Sequence, residues 1–138
     1  PSTITRYQKR ISGPILDRID IHVSVPAVKV EKLTVDHQAE SSKTIQARVQ
    51  KARDIQQKRF KGLPVKSNAE MSPRQMKQFA SLDDQSILLL KQAIQRLNLS
   101  ARSFHRVIKI ARTIADLANI ENIQHDHIAE ALMYRIKK

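Results

Sequence analysis

Apolar residues recur every three or four positions along much of the chain after residue 40. The clearest case lies between Ser100 and Ala118, where one face of an ideal helix collects nearly all of the apolar side chains. This spacing predicts an amphipathic helix that buries that face, with Ser100 as its N-cap. The predicted buried positions are Phe104, Val107, Ile108, Ala111, Ile114, Ala115 and Ala118.

Four other segments carry helix start or stop signals. Three of them begin with a serine that can act as N-cap, and Ser72 is followed by Pro73, which favours a first helical turn. Ser81 and Asp84 have the spacing of a capping box. The predicted helices run from Ser41 or Ser42 to near Gly62, from Ser72 to Phe79, from Ser81 to Asn98, and from about Gln124 to Ile136.

The first of these helices combines an apolar stripe with a basic one. Ile45, Val49 and Ala52 share one side, which predicts that this side packs against the other helices. The lysines of the other side are candidate contacts to nucleic acid: Lys43, Lys51 and Lys58.

Near the N-terminus the apolar residues recur at every second position and no longer at helical spacing. Apolar and polar residues alternate from Ile19 to Val25, which predicts a strand, and Pro14 suits the first position of a short helix before it. A lone strand is not stable without a partner, so we interpret this segment as the end of an α/β domain whose other strands lie upstream. The chain also begins at Pro1 without a methionine, and we therefore expect it to be a piece of a longer protein.

The elements together predict a mainly α fold. A helical bundle occupies residues 41–138, a charged connector residues 28–40, and the helix and strand of the α/β remnant residues 1–27. The low glycine content, two residues in 138, agrees with helices better than with a sandwich or barrel.

The charge of the chain is strongly positive, at +12, and unevenly spread. Between Ser41 and Ala80 there are ten basic and two acidic residues. Such a field attracts nucleic acid, nucleotide phosphates or other polyanions. The alternative is a solvated basic face without a specific ligand.

Several classes of protein are disfavoured by composition. Cysteine is absent, so disulfides and thiolate chemistry are excluded and a reducing cytoplasm is expected. No apolar run approaches the roughly 18 residues of a membrane span, and no secretory signal is visible. The histidines have no ligand-like spacing, and a metal site is not expected.

Two groups of charged residues are candidate sites. Arg102, Arg106 and Lys109 fall within one narrow sector of the helix after Ser100, an arrangement that suits phosphate. The alternative is an ordinary solvated face. Arg18 lies between Asp17 and Asp20, and from the residues alone an ion pair with these neighbours is favoured.

Four stretches in order resemble the C-terminal third of magnesium-chelatase-like AAA+ ATPases of the ComM type, a family of competence and branch-migration proteins. They are RYQKRISGPILDRIDIHVSVP at 6–26, SSKTIQARVQKARDIQQKRF at 41–60, LNLSARSFHRVIKIARTIADL at 97–117 and HIAEALMYR at 127–135. The resemblance covers nearly the whole chain, and only residues 61–82 match loosely.

The resemblance implies specific catalytic roles. Arg18 matches the arginine finger that reaches a neighbouring subunit's ATP, which reverses the interpretation of Arg18 as an ion-pair partner. Arg102 matches the sensor-2 arginine that contacts the γ-phosphate in its own subunit. Arg106 is a second candidate for nucleotide contact, and Arg10 a candidate interface contact.

The resemblance also implies ATP and Mg²⁺ as cofactors, a hexameric ring of identical subunits, and DNA as a partner, without a membrane. A P-loop needs two glycines with four residues between them, the second followed by Lys and then Ser or Thr. Gly13 and Gly62 cannot supply it, and no paired acids follow an apolar run. We therefore expect the chain alone to be inactive and not to hold the cofactors tightly.

Two other functions remain open from the sequence. A basic helix-turn-helix-like module would place the helix after Ser100 in a major groove of DNA. The lid of a magnesium chelatase subunit would share the same motifs but act on a different partner.

Overall fold

The computed structural model describes Ile15, residues 18–27 and residues 39–135. Predictions that concern Arg10, Asp17 or the connector residues 28–38 lie outside this part of the chain. Five α-helices are present in the described ranges, and the mainly α fold is confirmed. They are α1 (Ser42–Arg59), α2 (Pro73–Phe79), α3 (Asp84–Leu97), α4 (Ala101–Leu117) and α5 (His125–Met133), and a short 3-10 helix spans Asn68–Glu70.

The helix starts follow from local hydrogen bonds to otherwise unpaired backbone amides. Ser41 caps α1 through the amide of Thr44, and Ser100 caps α4 through the amide of Ser103 at 3.2 Å. Ser72 forms a complete capping box with Gln75. Each serine satisfies a donor that the helix itself cannot satisfy, which is why these starts could be predicted.

The start of α3 differs from the prediction. Its N-cap is Asp83, whose carboxylate accepts from the amide of Ser86 at 2.7 Å, and not Ser81. Starting the helix at Asp84 leaves Leu82 just before the cap, where it packs against the core. Asn98 is the C-cap of this helix and adopts the left-handed backbone conformation, with φ 48°.

The core is centred on α4, which packs against α5, α1, α2 and the 3-10 helix, while α3 packs against α5. Val107, Ala111 and Ala115 of α4 are fully buried, as are Leu90 of α3 and Ile128 of α5. Burying each large aliphatic side chain stabilises the fold by about 1.5–3 kcal/mol. This burial fixes the rotation of α4, and hence the direction of its polar face.

A buried polar cluster joins α1 to α4. The carboxylate of Asp116 accepts from both Nη atoms of Arg59, at 2.7 and 2.5 Å, and from Asn68 Nδ2 at 2.7 Å. Arg112 Nε donates to the same carboxylate at 3.1 Å, and its Nη atoms donate to the carbonyls of Ile120 and Glu121. The cluster therefore ties α1, the 3-10 helix and the α4–α5 loop to one carboxylate.

Three predictions about apolar patterns are wrong. Ala118, predicted to be buried, is the exposed C-cap residue of α4. Among the described residues no strand is formed, and the segment from Ile19 to Val25 has its apolar side chains exposed. Strand hydrogen bonds need a second strand, and the described part of the chain offers none. In α1, Ile45 and Val49 are 41% and 46% exposed, because no described residue covers the first half of this helix. Only Ala52 and Gln56 of α1 are buried.

Candidate functional site

The outward face of α4 carries the three cations that the sequence places in one sector. Because Val107 and Ala111 are buried on the opposite side, Arg102, Arg106 and Lys109 all line one open groove of about 560 Å³. The groove is completed by residues of the N-terminal segment, the 3-10 helix and the C-terminal end, among them Asp20, Ala69, Glu130 and Tyr134.

Arg102 is the exposed cation of this groove. It lies in the first turn of α4, next to the backbone amides of the helix N-terminus. Those amides carry a partial positive charge that adds to the charge of the guanidinium. Within the described part of the chain, no carboxylate or carbonyl is hydrogen-bonded to the Arg102 side chain, and the guanidinium is therefore available to an anion.

Arg106, one turn further along α4, is engaged by the chain itself. Its Nη1 donates to the carboxylate of Asp20 and, at 2.8 Å, to the backbone carbonyl of Arg18. The ion pair is partly shielded, since the Arg106 side chain is 24% exposed and that of Asp20 is 50% exposed. Arg106 therefore joins α4 to the segment that contains Arg18.

Lys109 is also held within the fold. Its Nζ donates to the carbonyl of Ala69 at 2.8 Å. Burial lowers the pKa of Lys109, the nearby charge of Arg106 lowers it further, and the carboxylate of Asp20 acts in the opposite direction. Of the three cations in the groove, Lys109 thus contributes mainly to attaching the 3-10 helix.

Arg18 is exposed, and the ion pair favoured by its local sequence is not made with Asp20. The Asp20 carboxylate is paired with Arg106 instead, from a helix 86 residues away in sequence. The alternative interpretation of Arg18 as an ion-pair partner of Asp20 is therefore not supported by the structure, and Asp17 lies outside the described residues. The Arg18 side chain lies at the surface of the chain while its backbone is fixed to α4.

One site residue was missed by sequence reasoning. Arg135 is buried, with 6% exposure, and its Nη1 donates to the carbonyl of Ile19 at 2.9 Å while its Nη2 donates to Ser103 Oγ at 2.8 Å. In addition, the amide of His22 donates to the carbonyl of Tyr134 at 2.9 Å. The only signal in the sequence was that Arg135 ends the last of the four matching stretches.

The candidate nucleic-acid residues lie elsewhere, on α1. Lys43, Lys51 and Lys58 are all exposed, whereas Arg48 on the same helix is paired with Glu40 at 2.8 Å. The lysines are therefore presented to solvent on a helix whose first half is uncovered by the described residues.

Two absences apply to the described ranges. No three His, Asp or Glu side chains there are arranged to hold a metal ion. None of the helices in those ranges combines the length and the apolarity that crossing a bilayer requires.

Two family models match the chain. The one described as magnesium chelatase, subunit ChlI C-terminal, matches residues 39–135, which include all five helices. A second, described as magnesium chelatase, subunit ChlI, matches residues 1–33, which include the segment of Arg18.

Curated bacterial relatives match over almost the whole chain. Competence protein ComM of Haemophilus influenzae is 38% identical over 136 residues, which cover 98% of this chain and 26% of that protein. The uncharacterized protein YifB of Escherichia coli is 36% identical over 138 residues, 98% of this chain and 26% of that protein. The uncharacterized protein Rv2897c of Mycobacterium tuberculosis is 30% identical over 134 residues, 97% of this chain and 26% of that protein.

The chain thus spans about a quarter of the length of the curated relatives that it matches. These matches confirm the resemblance to magnesium-chelatase-like proteins, including the ComM type. Because the C-terminal family model alone covers residues 39–135, more than half of the sequence, the chain belongs to the magnesium chelatase subunit ChlI family.

Proposed function

We propose that this chain is the C-terminal lid part of a ring-forming AAA+ ATPase that remodels DNA, and that it supplies two arginines to ATP hydrolysis. Arg18 acts as the finger toward a neighbouring subunit's nucleotide, and Arg102 as the sensor of the γ-phosphate in its own subunit. The observation that carries the proposal is the exposed Arg102 guanidinium at the start of α4, beside a segment that holds Arg18 at the surface.

The chemistry of phosphoryl transfer explains why two arginines would be used. Negative charge spreads over the γ-phosphate oxygens in the transition state, and a guanidinium is always protonated and donates in a planar fork. A finger supplied by a neighbour makes hydrolysis depend on assembly. A sensor on the lid makes the position of the lid depend on the presence of the γ-phosphate, because only differential contact shifts a conformational equilibrium.

ATP and Mg²⁺ would be held mainly by regions outside this chain. The chain has no P-loop, and its described residues offer no acidic cluster for the metal. The exposed guanidinium of Arg102 and the adjacent helix N-terminus fit the terminal phosphate. Arg106 is already paired with Asp20, so we assign the phosphate contact to Arg102; the interface role of Arg10 remains a proposal from the family pattern.

The enzymatic test uses the longer protein that contains this chain. We expect Arg18→Ala to lower kcat by about 10³-fold or more while ATP affinity stays near that of the wild type, because a finger acts on the transition state. Arg102→Ala should lower both turnover and the preference for ATP over ADP, since the sensor contacts the γ-phosphate. Arg48→Ala is the matched control, because this exposed arginine is paired with Glu40 outside the groove. Normal turnover in both Arg18→Ala and Arg102→Ala would refute the assignment.

DNA binding is proposed for the basic surface of α1. If the three exposed lysines contact phosphates, replacing Lys43, Lys51 and Lys58 by Gln should weaken duplex DNA binding and reduce the slope of log K against log salt by up to about 3. Electrophoretic mobility shift or anisotropy titrations at several salt concentrations measure both quantities. An unchanged slope would place the DNA-binding surface elsewhere.

The helix-turn-helix alternative makes a different prediction. A recognition helix needs several free side chains on α4, but Arg106 and Lys109 are bonded within the chain, which supports the lid proposal instead. Sequence-selective, sub-micromolar binding of duplex DNA by this chain alone at physiological salt would favour the alternative. In the chelatase alternative the two arginines keep the same roles, and only the partner differs. Stimulation of the ATPase by DNA would favour the DNA remodeller over the chelatase.

A further inference from the structure

The segment around Arg18 is held by side chains of the bundle and not by secondary structure. Residues 19–27 form neither helix nor strand, and Ile19 and Ile21 are 43% and 52% exposed. Apolar burial therefore contributes little to fixing these residues. Their position depends on polar contacts to the C-terminal helices.

Two arginines make most of these contacts. Arg106 reaches the segment from α4, through the Arg18 carbonyl and the Asp20 carboxylate. Arg135 reaches it from the end of the chain, through the carbonyl of Ile19 at 2.9 Å and that of Asp20 at 3.4 Å. Both donors are charged, and hydrogen bonds from charged donors are roughly twice as strong as neutral ones.

Arg135 also binds α4 itself. Its Nη2 donates to Ser103 Oγ at 2.8 Å, and Ser103 is fully buried directly after Arg102. Because the Arg135 guanidinium is mostly removed from water, losing these acceptors would leave a buried charge that is costly to accommodate. The contact thus links the Arg18 segment to the same turn of α4 that carries Arg102.

On this basis we infer that Arg106 and Arg135 are positioning residues that fasten the Arg18 segment to α4, so that the finger and the sensor move as one unit. This inference rests on the proposed function of Arg18 and Arg102. Its consequence is that a shift of α4 on contact of Arg102 with its own γ-phosphate displaces Arg18 toward or away from the neighbouring site. The nucleotide state of one subunit would then set the hydrolysis rate in the next.

The first test measures the attachment itself, by hydrogen exchange of this chain. The His22 amide donates to the Tyr134 carbonyl, so its exchange reports release of the segment. We expect Arg106→Gln to speed exchange of the His22 amide by about tenfold or more, the effect of losing a charge-assisted bond, with exchange in α4 unchanged. Arg106→Lys should retain part of the protection through the ion pair to Asp20. Arg96→Gln, an exposed arginine at the end of α3, is the control.

A substitution of the buried Arg135 can unfold the chain, and faster exchange in such a variant would then not report release of the segment alone. The test therefore uses Arg106→Gln, because the Arg106 side chain is partly exposed and its loss leaves the core intact. Unchanged exchange of the His22 amide in Arg106→Gln would overturn the inference, whatever the result for ATP hydrolysis.

The second test measures whether the attachment acts through Arg18, using ATPase assays of the longer protein. We expect Arg106→Gln to lower kcat at least tenfold with little change in KM for ATP, and the double variant with Arg18→Ala to be no slower than Arg18→Ala alone. A raised KM and a further loss in the double variant would instead make Arg106 a direct nucleotide ligand and overturn the inference. If Arg18→Ala itself keeps normal turnover, the proposed function fails, while the exchange experiment still decides the attachment.

Discussion

The buried carboxylate of Asp116 should be the most sensitive single polar group in the bundle. It is 2% exposed and receives hydrogen bonds from Arg59, Asn68 and Arg112. Asp116→Ala removes the acceptor and leaves the Arg112 guanidinium, 3% exposed, without its counter-charge. Burial lowers the pKa of Arg112 and the charge of Asp116 opposes that shift, so the substitution also removes what favours the charged form.

The size of the effect follows from breaking one side of a buried ion pair. Such changes cost about 3–5 kcal/mol, against a total stability of about 5–15 kcal/mol for a small domain. With a urea m-value of about 1.5 kcal/mol/M, the midpoint of unfolding should fall by about 2–3 M. If Asp116→Ala is already partly unfolded without urea at room temperature, the cost lies at the upper end of this range.

The chain offers a matched control for this measurement. Glu40 also accepts from both Nη atoms of one arginine, Arg48, at 2.8 and 3.1 Å, but its side chain is 41% exposed. Glu40→Ala should therefore cost less than about 1 kcal/mol, because water replaces the lost contact. Urea unfolding followed by circular dichroism measures both variants. A midpoint shift for Asp116→Ala no larger than that for Glu40→Ala would refute the reasoning.

Two further predictions concern turns and caps. Gly62 has φ +82°, and a Cβ added there would meet only open space. Gly62→Ala should therefore destabilise the fold by about 1–2 kcal/mol through backbone strain alone, and Gly62→Asn by less. Equal urea midpoints for the wild type and the two variants would contradict this. The hydrogen bond from the Ser86 amide lowers the pKa of Asp83. The stability from this cap is therefore present above the ordinary pKa of about 3.9 and is lost as the pH falls through the lower folded value. Asp83→Asn keeps a capping oxygen without a titrating group, and thermal unfolding from about pH 5 to pH 2 should show the wild type losing more stability than the variant.

The helices could be predicted because their signals are local. Ser72 and Ser100 act as caps where the sequence suggested, and the period of α4 identified its buried face from Val107 to Ala115. These features depend on residues within a few positions of one another, so one sequence is enough to recognise them.

The predictions that were wrong depend on partners that are distant in sequence or missing from the described chain. The alternation from Ile19 to Val25 is the pattern of a half-buried strand, but a strand forms only beside another one. The stripe of Ile45 and Val49 has helical spacing, but spacing does not show how far a helix extends beyond the helices it packs against.

The candidate site was predictable only in part. The shared direction of Arg102 and Arg106 follows from helix geometry, and the structure brings both to one groove. The pairing of Arg106 with Asp20, and the reach of Arg135 to Ile19, join residues more than 80 positions apart. No local pattern encodes such contacts, so the distinction between an exposed Arg102 and an engaged Arg106 required the structure.

The central claim, that Arg18 completes the active site of a neighbouring subunit, is tested most directly by mixing two inactive forms of the longer protein. One carries Arg18→Ala with an intact P-loop, and the other carries a P-loop substitution with Arg18 intact. Mixed rings place an intact Arg18 beside an intact P-loop, so ATPase activity should reappear on mixing and depend on the ratio of the two forms. Continued inactivity at every ratio, with mixed rings shown to form, would contradict the claim.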